Sequence, residues 1–131
     1  PDACAFVTKE QVAAAYGATA SDGKLSADAD NQCVFTISGT AKAGKVDLFD
    51  EVSVQIDFAD KDSSYERAKV VAPTAVKVDL GDDAWSLDVI VYQLHITKGK
   101  YELEIDGPLL ADKAASKQAA LDLAKVLVPK L

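Results

Sequence analysis

His95 is the only histidine in 131 residues, and Cys4 and Cys33 are the only cysteines. The side chains that could do nucleophilic or metal chemistry are therefore few. Hydrolysis through a Ser-His-Asp or Cys-His arrangement needs a base beside a nucleophile, and no G-x-S-x-G occurs in the chain. Alternating residues on either side of Lys98-Gly99 read as a hairpin that sets His95 opposite Glu102, with Glu104 two positions on. A His95/Glu102/Glu104 metal site would have three ligands on an open face, with nothing to supply a fourth or to orient the ring. The preferred reading is a solvated cross-strand pair. A carboxylate opposite His95 favours the charged imidazole, so its pKa is expected above ~6.5.

The stretch "VDLGDDAWSL" from Val78 to Leu87 holds the only tryptophan. Asp82 and Asp83 are adjacent, so in extended chain they diverge and do not form the carboxylate pair of a glycosidase. One of them is expected to cap backbone N–H groups after Gly81 in a corner. Trp85 could stack on a sugar, but a lone tryptophan at a strand start more often anchors the edge of a core. The loop "SDGKLSADADN" is rich in oxygens, yet an EF-hand register from Asp28 puts Cys33 where glycine belongs and Gly39 where glutamate belongs. No G-x-G-x-x-G or Walker loop is present. No cofactor and no metal are expected, and the protein is read as a non-enzyme.

These residues must be positioned by a small set of elements. "CAFVTKEQVAAAYGA" predicts a helix from Lys9 to Tyr16, with Thr8 and Gln11 as a capping box and Gly17 as its stop. Residues 18–31 read as a loop. "CVFTIS" alternates, with Cys33, Phe35 and Ile37 on one face and Val34 on the other. Residues 39–50 read as a second loop. "EVSVQIDF" is a strand with Val52, Val54, Ile56 and Phe58 inward. "DKDSSYERAKVVAP" predicts a short helix with Ser63 and Glu66 as its capping box, ended by Pro73. "AVKVDL" is a strand, and "LDVIVYQLHITKGKYELEIDG" is a hairpin turning at Lys98-Gly99. Its expected pairs are Ile96–Tyr101, Leu94–Leu103, Tyr92–Ile105, His95–Glu102 and Gln93–Glu104. A final helix runs from the cap Asp112 to about Val128, with Leu121, Ala124, Leu127 and Val128 inward. The sum is a single α+β domain over 1–131. It has one antiparallel sheet of five to six strands, with N-terminal, middle and long C-terminal helices on one face.

Composition sets limits on partners. The net charge is −7, and no basic run offsets it, so a nucleic-acid backbone is disfavoured. No stretch approaches the ~20 apolar residues of a membrane helix. The chain opens on Pro1 and has no methionine, which fits a processed or trimmed chain that an export signal could have preceded. Cys4 sits just before the first helix and Cys33 at a strand start. A bridge between them would pin that helix to the sheet, contributing roughly 3–4 kcal/mol, and this is preferred to two buried free thiols.

The order of motifs resembles a group of bacterial secreted proteins and lipoproteins of unknown function, common in actinobacterial cell envelopes. "DACAFVTKEQVAAAYG" is similar to their opening, where a cysteine precedes a capped helix and a second cysteine opens the first strand. "VDLGDDAW" matches their V-x-x-LGD-x-A-aromatic segment at Leu80, Gly81, Asp82, Ala84 and Trp85. A strand, K-G turn, strand hairpin and an alanine-rich last helix complete the pattern. The resemblance implies export to the cell envelope or the extracellular space, a Cys4–Cys33 disulfide, a fold similar to PsbP-like domains and no enzymatic activity.

The function expected is an accessory domain that binds a protein or another cell-envelope component through its sheet face. "VIVY" at residues 89–92 is apolar on both sides. Ile90 and Tyr92 go inward, leaving Val89 and Val91 outward. With Val34, Trp85, Glu102 and Glu104 they make the expected partner surface, unless Leu48 and Phe49 fold over it. The alternative is a small-molecule carrier with a pocket between sheet and helices, lined by Tyr16, Phe35, Tyr65 and Tyr92.

Overall fold

Cys33, Phe35 and Ile37, then Val52, Val54 and Ile56, then Tyr92, Leu94 and Ile96, then Leu103 and Ile105 all lie buried in one apolar cluster. Each series repeats every second residue, as one face of a strand must. A computed structural model describes residues 2–27, 29–59 and 74–131 of the chain. The strands are β1 (Thr19–Ala20), β2 (Lys24–Ser26), β3 (Ala29–Ala41), β4 (Gly44–Phe58), β5 (Val76–Lys77), β6 (Asp83–Asp88), β7 (Val91–Lys98) and β8 (Tyr101–Pro108). They form one antiparallel sheet in the order β1-β3-β4-β8-β7-β6-β5, with β2 also paired to β3. The helices are α1 (Ala3–Phe6), α2 (Lys9–Tyr16) and α3 (Lys113–Leu127), followed by a 3-10 turn over Val128–Lys130.

The α+β class and the single antiparallel sheet match the expectation, but the sheet has eight strands rather than five to six. Two causes account for the excess. Short pairings such as Thr19 with Ser38 lie in stretches too polar and too brief to show alternation. And β6 is split from β7 by the connection at Val89 and Ile90, where a single strand was expected; residues 39–50, expected as a loop, are mostly strand as well, because β3 and β4 continue as one long hairpin to the pairing of Ala41 with Gly44. The expected middle helix, with Ser63, Tyr65, Glu66 and Pro73, lies outside the described residues.

Asp2 caps α1, its carboxylate accepting from the backbone N–H of Cys4 at 3.0 Å and Ala5 at 3.3 Å. Cys4 therefore sits inside a short helix of its own, just ahead of the expected helix α2. Its sulfur is bonded to that of Cys33 across 29 residues. Thr8 and Gln11 close the capping box of α2, and Gly17 ends it at φ 63°. Asp112 caps α3 by accepting from Ala115 N–H at 3.0 Å. The buried stripe of α3 is Ser116, Ala119, Ala120, Leu123, Ala124 and Leu127. Leu121 is only half-buried, so Leu123 takes the inward place expected of it.

The β7–β8 hairpin pairs Lys98 with Tyr101, Ile96 with Leu103, Leu94 with Ile105 and His95 with Glu104. The turn residues are Gly99 and Lys100, one step later than expected, and every pair moves by two positions. A shift of two keeps each residue on its face, so alternation cannot distinguish the two registers. Gly99 has φ 58°, and among the described residues only glycines have positive φ, which fits a turn with glycine first.

Candidate functional site

The face of the sheet opposite the core carries three rows of residues across four strands, polar on β4, β8 and β7 and ending on β6 in Asp83, Trp85 and Leu87. One row is Asp57, Glu102, Thr97 and Asp83. The next is Gln55, Glu104, His95 and Trp85. The third is Ser53, Asp106, Gln93 and Leu87. This was the face expected to meet water. Instead Trp85 is 3% exposed, His95 5% and Glu102 6%. Ala75 and Leu87 pack against Trp85.

Within the middle row the Trp85 ring stacks on His95. His95 Nε2 lies 3.8 Å from Glu104 Oε1 and 3.5 Å from Gln93 Oε1. The Gln55 amide donates to Asp57 Oδ2 at 2.8 Å, and the Asn31 amide donates to Asp57 Oδ1. Glu104 and Asp106, two apart on β8, are hydrogen-bonded through their carboxyl groups.

Burial lowers the His95 pKa to about 4. Burial raises Glu104 to about 8, with the charges of Asp106, Glu102 and Asp57 adding to the rise. Burial also raises Asp106, against the hydrogen bond from Glu104. At neutral pH the row thus holds an uncharged imidazole and a protonated Glu104 carboxyl. The 3.8 Å contact between them is too long for a hydrogen bond and is not an ion pair. The raised His95 pKa expected from a facing Glu102 is overturned. Glu104 stands opposite, its charge is already quenched, and desolvation decides.

Chemically, Glu104 in this row and Asp106 in the next hold a proton between two carboxyls. A pair with separated pKa values could act as acid and base. Ser53 lies beside Asp106 in register, but among the described residues no hydrogen bond ties it to a base. His95, Glu102 and Glu104 do not converge, since Glu102 stands opposite Thr97 and not the imidazole.

The corner "VDLGDDAWSL" is built as a joint between hairpins. Gly81 takes φ 58°. Asp82 N–H donates to Thr97 O at 2.8 Å, and its carboxylate accepts from Gly99 N–H at 2.7 Å. Trp85 is thereby seated on the sheet's outer face, buried against Ala75 and Leu87.

The exposed apolar residues lie elsewhere. Ile37 pairs with Asp50 and Gly39 with Val46, so three β4 residues, Asp47 to Phe49, oppose Ser38 alone. This bulge throws Leu48 and Phe49 outward, at 72% and 90% exposure. Asp47 N–H donates to Asp50 Oδ2 at 2.9 Å and closes the bulge. In the β6–β7 hairpin Asp88 pairs with Tyr92, so Val89 and Ile90 sit in the connection, at 73% and 87% exposure. Val91 faces Pro108 and Ser53 faces Asp106. The bulge of β4 and the β6–β7 connection therefore project from the same end of the sheet. Two strand spacings, about 10 Å, separate β4 from β7.

Of the expected partner surface, only Val89 is well exposed. Val34 and Val91 are half-buried, Glu104 is largely covered, and Trp85 and Glu102 are buried. Leu48 and Phe49 do not fold over Val34 or Val91, and Ile90, expected in the core, is at the surface. Of the residues expected to line a carrier pocket, Tyr16, Phe35 and Tyr92 belong to the buried core cluster, and Tyr65 lies outside the described residues. Surface hollows among the described residues include two beside the helices. One, of about 290 Å³, is lined by Phe6, Ile56, Tyr101 and Lys130. The other, of about 390 Å³, lies between α2 and α3 beside Gln11, Lys42 and Val126.

No protein-family model, curated protein or solved structure matches the chain.

Proposed function

We propose that this chain is a non-enzymatic, exported domain of the cell envelope that binds a protein partner, and that the partner meets the end of the sheet rather than its outer face. The observation that carries this reading is the grouping of Leu48, Phe49, Val89 and Ile90, all at least 72% exposed, at one sheet end. Single exposed apolar residues are ordinary on a protein surface. Four grouped on two adjacent projections mark a contact surface. Export is supported by the Cys4–Cys33 bridge, since such bonds persist in oxidising compartments, and by the resemblance to secreted envelope proteins. No helix among the described residues is long and apolar enough to cross a membrane.

Photo-crosslinking tests the reading. Phe49 or Ile90 is replaced by benzoylphenylalanine in the cells that make the protein, with Phe58, which is 57% exposed at the opposite end of the sheet, as control. The expected result is one protein adduct shared by positions 49 and 90 and missing at 58. Equal labelling from all three positions, or none from 49 and 90, overturns it.

A further inference from the structure

Resting on that docking reading, we infer that the partner offers a cationic apolar segment, with lysine or arginine beside the apolar side chains that cover Phe49 and Ile90. The two projections differ in charge. Leu48 and Phe49 are bracketed by Asp47, Asp50 and Glu51. Among the described residues none of these three carboxylates forms a salt bridge, and Lys45 is the only cation on the same stretch of β4. At the other projection Asp88 is already held by Lys117 of α3, which lowers its pKa, with Lys113 close by. The unanswered charge is therefore negative and sits at the β4 bulge.

That bulge is also preformed. The Asp47 N–H to Asp50 carboxylate bond fixes its turn, so little ordering is left for association to supply. Opposite charge on the partner would steer its approach and set its register. A second copy of this chain would bring acid against acid, with both copies at −7. An anionic bilayer meets the same repulsion. A cationic polypeptide answers both the apolar tips and the carboxylates.

The test uses the full chain and a short synthetic peptide with leucine and phenylalanine between lysines. A second peptide keeps the apolar residues and replaces lysine by glutamate. The lysine peptide should bind saturably by fluorescence anisotropy, and the glutamate peptide should not. Phe49→Ser with Ile90→Ser should weaken binding by about tenfold or more. Asp47→Asn with Glu51→Gln should weaken it by about fivefold or more. The charge-matched distal pair, Asp79→Asn with Glu10→Gln, should have less effect. Thermal midpoints of all three variants should match the wild type. Equal losses from the tip and distal acidic pairs would show a general field and overturn the inference. So would Phe49-dependent binding to anionic vesicles in place of the peptide, or Phe49-dependent dimers in sedimentation. If the lysine peptide fails while position 49 still crosslinks a protein, the charge inference falls and the docking reading stands. If neither is seen, both fall.

Discussion

The Trp85 indole lies flat on the His95 imidazole, with 4.0 Å between ring centroids and 7° between planes. The register of β6 with β7 sets the two residues directly opposite. An aromatic face on one side and a protonated carboxyl beyond leave the imidazole no anion to stabilise its charge. The stack and the depressed basicity of His95 are one fact seen from two sides.

His95 should titrate near pH 4, well below its ordinary 6.5. Two-dimensional NMR of the imidazole carbons measures this directly. A midpoint at or above 6.5 would mean that the ring reaches water or a carboxylate.

Trp85→Ala should destabilise the fold by about 3 kcal/mol or more, because the ring is buried and leaves a cavity. A denaturant melt checks it. An unchanged midpoint would place Trp85 at the surface.

Glu104 and His95 make opposite demands on pH. Folded Glu104 keeps its proton to about pH 8, whereas its ordinary value is 4.5. Over that interval the folded state binds more protons than the unfolded one, so stability falls as pH rises. His95, lowered to about 4 from 6.5, binds its proton more readily when unfolded, so its contribution grows as pH rises to 6.5. The two slopes oppose each other from about 4.5 to 6.5, and above that Glu104, with the raised Asp106 beside it, sets the slope. The protein should lose on the order of 2 kcal/mol between pH 6.5 and 8. Glu104→Gln should flatten that fall in melts at pH 6, 7 and 8. A wild-type curve that rises over this range would show Glu104 ionised in the fold.

Alkylation without reductant should leave the mass unchanged, because Cys4 and Cys33 are bonded. The double variant Cys4→Ser/Cys33→Ser should lose roughly 3–4 kcal/mol, the loop-closure value for its 29-residue span. Two thiols alkylated in freshly isolated native protein would contradict both the bond and export.

Gly81 and Gly99 share φ 58° but not their surroundings. A Cβ at Gly81 would lie 2.6 Å from Thr97 O and 2.8 Å from Ile96 Cγ2, whereas one at Gly99 meets nothing within 4 Å. Gly99→Ala should cost only the backbone penalty, about 1–2 kcal/mol. Gly81→Ala should cost clearly more. Equal thermal shifts for the two would show that the corner yields freely.

The parts of this fold legible in the sequence are those carried by local rules. Thr8 with Gln11, Asp112 and Gly17 marked helix ends, and the alternation of Val52, Val54 and Ile56 marked a buried face. The parts that were not legible depend on what lies across the sheet. The connection at Val89 and Ile90 contains no glycine, proline or asparagine, so residues 87–97 read as one strand and Ile90 went to the core. The bulge at Asp47–Phe49 broke alternation and read as loop, which hid the two most projecting apolar side chains of β4. The polar series Glu102, Glu104 and His95 reads as solvent-facing on any local rule. Its burial, and every pKa that follows, is set by tertiary cover. Asp47 and Asp50 on either side of an apolar pair were the one signal available for the exposed bulge.

The sheet order joins β4 to β8, so Val54 meets Ile105 across about fifty residues of chain. The hairpins on either side close through two-residue turns, at Ala41 with Gly44 and at Lys98 with Tyr101. Such hairpins form within about 1–10 μs, whereas joining distant segments carries the larger closure entropy. The pace of self-assembly is therefore set by one zip, the docking of β4 on β8, and each half of the molecule reaches that encounter with its own strands already paired.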